Sequence, residues 1–155
     1  MSAGGAYAES ERDPAPGAEF GPHFSSPSLD YNVAIGGTVA PNLAVHATIF
    51  GWTDLPAPEM SDRDVTAPAV GAGLTAYIMP ANVYLSTSVG LAKIDFEDTD
   101  VGIMGDLTLG KEWWVGDHWG IGLAAAWSPH SIPSSEFDES LRGQSIALRL
   151  SATRN

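Results

Sequence analysis

Cysteine is absent from this chain of 155 residues. That excludes a disulfide framework and any thiolate-held metal. Basic residues are scarce too: seven Lys and Arg stand against nineteen Asp and Glu, a formal net charge of −12. Binding to a phosphate backbone needs clustered cations, so nucleic acid is excluded as a partner. No stretch offers the ~18–20 uninterrupted apolar residues of a membrane helix. Val70–Ala92 comes nearest and carries no charge, but Pro80 and Asn82 stand at its centre and Gly71, Gly73 and Gly90 dilute it. Both of its halves alternate, so it reads as a hairpin turning at MPAN. No secretory signal opens the chain, since Met1 is followed by SAGGAYAES rather than by a basic start and an apolar core.

What the sequence does hold is alternation. Val101–Ser128 (VGIMGDLTLGKEWWVGDHWGIGLAAAWS) consists of two runs joined by a tight turn at Val115–His118. Val101, Ile103, Leu107 and Leu109 share one parity, and Gly102, Met104, Asp106, Thr108, Gly110 and Glu112 the other. In the second run Trp119, Ile121, Leu123, Ala125 and Trp127 alternate with Gly120, Gly122, Ala124, Ala126 and Ser128. Period two is the strand signature. A soluble hairpin would carry Lys, Glu and Gln on its second face, whereas here that face is Gly, Ala, Ser and Thr. Small residues suit a crowded interior and leave the large apolar face outward, the inside-out pattern of a membrane barrel.

The same rhythm runs through the whole chain, which is sized for a single domain over residues 1–155. Strands are predicted at Met1–Ala8, Leu29–Val39, Leu43–Trp52, Val70–Ile78, Val83–Ala92, Val101–Trp114, Trp119–Ser128 and Arg142–Thr153. The first is shorter than the ~9–11 residues of a tilted spanning strand, so residues upstream of Met1 are expected to complete it. Short turns at Ala40–Asn42, Met79–Ala81 and Val115–His118 alternate with long connections at Glu9–Ser28, Thr53–Thr66, Lys93–Asp100 and Pro129–Leu141. The expected fold is therefore all-β, an up-and-down antiparallel eight-stranded transmembrane barrel with a truncated first strand. Acidic residues follow this asymmetry: Glu9, Glu11, Asp13, Glu19, Asp54, Glu59, Asp62, Asp64, Asp95, Glu97, Asp98, Asp100, Glu136, Asp138 and Glu139 fall in the long connections. Aromatic residues gather at strand ends, with Trp113, Trp114, Trp119, Tyr77 and Tyr84 beside short turns and Tyr7, Tyr31, Trp52 and Trp127 beside long loops. Two girdles at the two lipid–water boundaries are the expected result.

Few residues within strands carry chemistry. His46, Asp106, Glu112 and Arg149 lie on the small-residue face, and Arg149 is expected to pair there with Asp106 or Glu112 in a salt-bridged lumen. Tyr77, Tyr84 and Met104 are available to help fill an interior of this size. Lys111 has the lipid-facing parity but sits near a turn, where its stem reaches the interface. In the fourth loop His130, Ser131, Ser134, Ser135 and Glu136 are the residue types of a lipid-modifying enzyme at the barrel rim, although Ser, His and Glu are common in any polar loop. The acidic run Asp95, Glu97, Asp98 and Asp100 lacks the spacing of a dedicated calcium loop. The expectation is a protein without catalytic, cofactor-binding or metal-holding residues.

The strand–turn rhythm, the hairpin GKEWWVGDHWGIG and the closing IALRLSATRN resemble the small eight-stranded outer-membrane β-barrel family of OmpA-type transmembrane domains and OmpX. The resemblance covers nearly the whole chain. It implies a monomer integral to a Gram-negative-type outer membrane, non-enzymatic, with a role in envelope integrity, adhesion or surface interaction. Outer-membrane lipids are its expected partners, with divalent cations or a basic surface partner at the acidic loops. Family members carry a cleaved signal peptide and end on an aromatic residue, whereas this sequence opens at Met1 without a signal and closes Ser151–Asn155. The alternatives are the rim enzyme (acyltransferase or esterase) and a soluble lipocalin-like barrel with the apolar face turned inward. A lipocalin exterior of Gly, Ala, Ser and Thr with hardly a charge would be poorly soluble.

Overall fold

A computed structural model describes residues 1–12, 23–55, 65–94, 100–133 and 140–154. They form eight strands: β1 (Ser2–Arg12), β2 (His23–Ala40), β3 (Leu43–Asp54), β4 (Thr66–Ile78), β5 (Val83–Ala92), β6 (Gly102–Trp114), β7 (Trp119–Pro133) and β8 (Ser140–Arg154). Each pairs antiparallel with its sequence neighbours, and β1 pairs with β8 from Ser2↔Ser151 to Arg12↔Leu141, closing the ring. All-β, up-and-down and eight-stranded, the fold is the one the alternation predicts.

Two of the tight turns place a single asparagine in the left-handed region, Asn42 at φ 63° and Asn82 at φ 51°. Asparagine tolerates that conformation better than most side chains. The Asn42 and Asn82 carbonyls then accept hydrogen bonds from the Tyr77 and Glu112 amides at 2.8 and 2.9 Å, tying each turn to the next strand.

The strands outrun their predicted ends on the side of the long connections. β1 is 11 residues long because Glu9–Arg12 continue the ladder, and β2 begins at His23, six residues before the expected Leu29. The predicted end of the first strand at Ala8 is thus corrected, and β1 reaches spanning length through the residues that follow it. β7 likewise runs on to Pro133 and β8 starts at Ser140. Glu9, Glu11 and Asp54 consequently lie on strand ends rather than in loops. Polar composition marks where the strands leave the apolar belt, but main-chain pairing does not need an apolar face to continue.

Outward positions are large and apolar. Ile35, Val70, Leu91, Ile103, Leu109, Ile146, Leu148 and Leu150 are all exposed, Leu148 to 76%. Lys111 also faces outward and donates from Nζ to the Ala81 carbonyl at 2.5 Å, so its charge sits at the level of the second turn. Inward positions divide by height. Toward the long connections the interior is packed with Ala8, Phe50, Trp52, Ala67, Ala69, Ala92, Ile94, Met104 and Ile132. Toward the short turns it opens into a cavity of about 650 Å³.

Candidate functional site

Between the apolar packing and the cavity lies a charged layer. Arg149 of β8 is buried and its guanidinium reaches two carboxylates. Its Nε and Nη2 donate to Asp30 of β2, the latter at 2.9 Å, and Nη2 also donates to Asp106 of β6 at 2.5 Å. Nη1 donates to Thr108 Oγ1 at 2.8 Å, and Thr108 and Ser128 in turn donate to the two oxygens of Asp106 at 2.8 and 3.1 Å. Every side of the group is therefore engaged, as burial of a charge demands.

The expected partners of Arg149 are thus divided. Asp106 is one of them; the other is Asp30 of β2, in place of the expected Glu112. The signal was present, because Asp30 alternates with the outward Leu29, Tyr31 and Val33 and so takes the inward parity. Glu112 is not a partner. It has the same parity as Asp106 but lies six residues further along β6, about 20 Å at the usual strand rise. There it accepts a hydrogen bond from Thr153 at 2.6 Å through Oε1, while Oε2 is buried without a partner. His46 stands apart from both, its Nε2 3.1 Å from Thr75 Oγ1, which lies 2.9 Å from Ser86 Oγ. The four lumen residues form three separate groups.

At the opposite end, His130 points inward beside Trp52, their rings 5.9 Å apart, and its Nε2 is 2.9 Å from Ser10 Oγ. Gly143 makes room for this pair, since a Cβ there would come within 2.7 Å of both His130 Nε2 and Ser10 Oγ. Ser131 takes the opposite parity and faces outward, so it is not brought to His130. Ser134, Ser135 and Glu136 lie outside the described residues, as do Asp13, Glu19, Glu59, Asp62, Asp64, Asp95, Glu97, Asp98, Asp138 and Glu139. Among the described residues no group of His, Asp and Glu is arranged to hold a metal ion.

Four aromatic assignments are corrected. Trp52 and Tyr84 are buried in the interior and Tyr77 faces it, half-buried, with the two tyrosine rings 5.9 Å apart. Position along the strand pointed to a girdle, but parity with Phe50, Thr75 and Gly110 turns these rings inward. Trp114 has inward parity too and lines the cavity at its mouth. Tyr7, Trp113, Trp119 and Trp127 are exposed and Tyr31 half-exposed on the outer face. Trp127 is anchored by its Nε1 donating to Gln144 at 2.7 Å.

Compared with protein-family models and with curated proteins, the sequence matches none. Solved structures do match. The chain is similar to Neisserial surface protein A at 13% identity and a TM-score of 0.60, over 99% of this chain and 96% of that one. It is also similar to the outer membrane protein AlkL, solved in lipid bilayers, at 13% identity and a TM-score of 0.52, over 99% of this chain and 88% of that one. With its closed ring, its apolar exterior and these neighbours, the chain has the fold of the small eight-stranded outer-membrane β-barrels.

Proposed function

We propose that the protein is an integral outer-membrane barrel that works as a closed, non-enzymatic anchor, displaying four acidic connections at one mouth. One observation carries the reading: large apolar side chains cover the outside of the strands, while inside them an apolar cluster and the Arg149 ion pairs are packed together. An exterior of that kind is a liability in water and a match for hydrocarbon. A soluble ligand-binding barrel would need the opposite arrangement, with its apolar face around a cavity.

Acidic residues concentrated in the connections that join the strands on one side of the barrel would repel one another over a range of ~8–10 Å at physiological salt. Beside an anionic outer leaflet that repulsion is relieved by cations, so the connections concentrate divalent cations or a basic surface partner. The barrel acts as a monomer held by outer-membrane lipids.

The test is protease added to intact cells. Cleavage is expected within residues 9–28 or 129–141, with the turns at Ala40–Asn42, Met79–Ala81 and Val115–His118 spared. Asn and Gln in place of the acidic residues of 93–100 should weaken Ca²⁺ or basic-ligand binding at the surface and leave assembly intact. Cleavage at the short turns would invert the proposed topology, and unaltered binding would remove the cation-collecting role.

A further inference from the structure

The outer wall of β6, β7 and β8 carries two cations at its short-turn end. Lys111 and Arg154 take the parity of the exposed leucines on their strands. Lys111 lies opposite Leu123 on the β6–β7 ladder, and Arg154 lies opposite Trp119 on the β7–β8 ladder. The Lys111 Nζ stands 5.5 Å over the Trp113 ring and the Arg154 guanidinium 6.0 Å over the Trp119 ring. Arg154 is exposed at the end of β8, where it and Trp119 also border the cavity mouth. Among the described residues neither cation is paired with a carboxylate. Glu112, next to Lys111 in sequence, is buried on the lumen side of the sheet.

Depth selects the partner. Trp113 and Trp119 flank the third turn and are exposed on the outer face, where an indole sits at headgroup level. Cations at that level meet lipid phosphates, and an indole beneath each one holds it in place. Lys111 spends one N–H on the Ala81 carbonyl at 2.5 Å and keeps two for an oxyanion. A zwitterionic lipid offsets its phosphate with its own headgroup cation. An anionic lipid leaves that charge free for a basic side chain. Leu123 and Trp119 are four residues apart on β7, about 13 Å at the usual strand rise, so the two cations do not share one phosphate.

We propose that this edge of the barrel binds anionic phospholipid. Lys111 takes the phosphate of one lipid and Arg154 that of a second, with the Trp113 and Trp119 rings positioning the cations. The assignment rests on the membrane-spanning reading, and it stands whichever compartment the short turns face.

The experiment inserts the full chain into vesicles of phosphatidylcholine mixed with phosphatidylglycerol, one or the other lipid carrying brominated chains. Quenching of tryptophan fluorescence then gives the relative affinity of the two lipids for the barrel wall. Phosphatidylglycerol is expected to be favoured about fivefold, the worth of one basic residue against anionic lipid. Lys111→Gln together with Arg154→Gln should bring the two lipids to parity, and either change alone should remove part of the preference. Arg154→Gln alters only the last residue of β8 and keeps the test informative if the double variant does not insert. Lys93→Gln, beyond the far end of β5, should leave the preference intact. Equal affinities in the unaltered protein, a preference that survives the double variant, or an equal loss with Lys93→Gln would overturn the proposal. A chain that does not insert at all would overturn the membrane-spanning reading with it.

Discussion

Asp30 of β2 and Asp106 of β6 have no main-chain pairing with each other, yet they meet through the guanidinium of Arg149. Two carboxylates and their shared cation bridge the lumen where the main chain cannot. Arg149→Ala leaves both carboxylates buried together without a partner. We expect a loss of about 3–5 kcal/mol, the usual result of breaking one side of a buried ion pair. The ratio of folded to unfolded bands on unheated gels across a urea series measures it. Glu112→Gln should leave this midpoint nearly unchanged, and an equal loss would place Glu112 in the same network.

The outer face has a depth. Leu148 stands mid-belt between Gly5 and Ala125, whereas Ile121 lies two residues from the end of β7 at the third turn. Arginine at Leu148 should cost about 2–4 kcal/mol in lipid and arginine at Ile121 no more than about 1 kcal/mol. Equal costs in bilayer refolding experiments would contradict the position of the belt.

Ser10 and His130 form a buried pair whose Nδ1 finds no further partner. Ser10→Ala alone strands a second imidazole nitrogen and should cost about 1–3 kcal/mol. Adding His130→Phe should recover most of that, since removing both polar partners is close to neutral. Recovery in the double variant, read from the same urea series, marks the pair as structural. A double variant as unstable as the single one would show that the imidazole makes a contact phenylalanine cannot replace.

With Phe50, Trp52, Met104 and Ile132 packed above the Arg149 layer, the purified barrel should show no steady conductance in planar bilayers. Opening it should require removing both obstacles, for instance Phe50→Ala together with Arg149→Ala. Stable channels from the unaltered protein would overturn the closed interior.

Parity made the barrel readable. The alternation of Ile146, Leu148 and Leu150 against small residues carried the strand count, the up-and-down order and the direction of every side chain between the girdles. What stayed hidden depended on depth and on two-sided polarity. Arg149 and Glu112 share a face, but only the register of β8 against its neighbours sets them at different heights. Trp52 was placed by its nearness to a loop although its parity with His46 already turned it inward. The extensions of β1, β2 and β7 were invisible because Glu9, Ser25 and His130 do not look like strand residues; pairing with a partner strand holds them extended.

The seam between β1 and β8 has eleven paired positions, as regular as the hairpins on either side. A ring of this kind offers no strand that can be peeled away cheaply. Freeing any one of them within hydrocarbon would bare donors and acceptors along both of its flanks. Pulled from a membrane by one of its connections, the molecule should therefore resist until a whole hairpin yields, and then give way in a few large steps of two strands each.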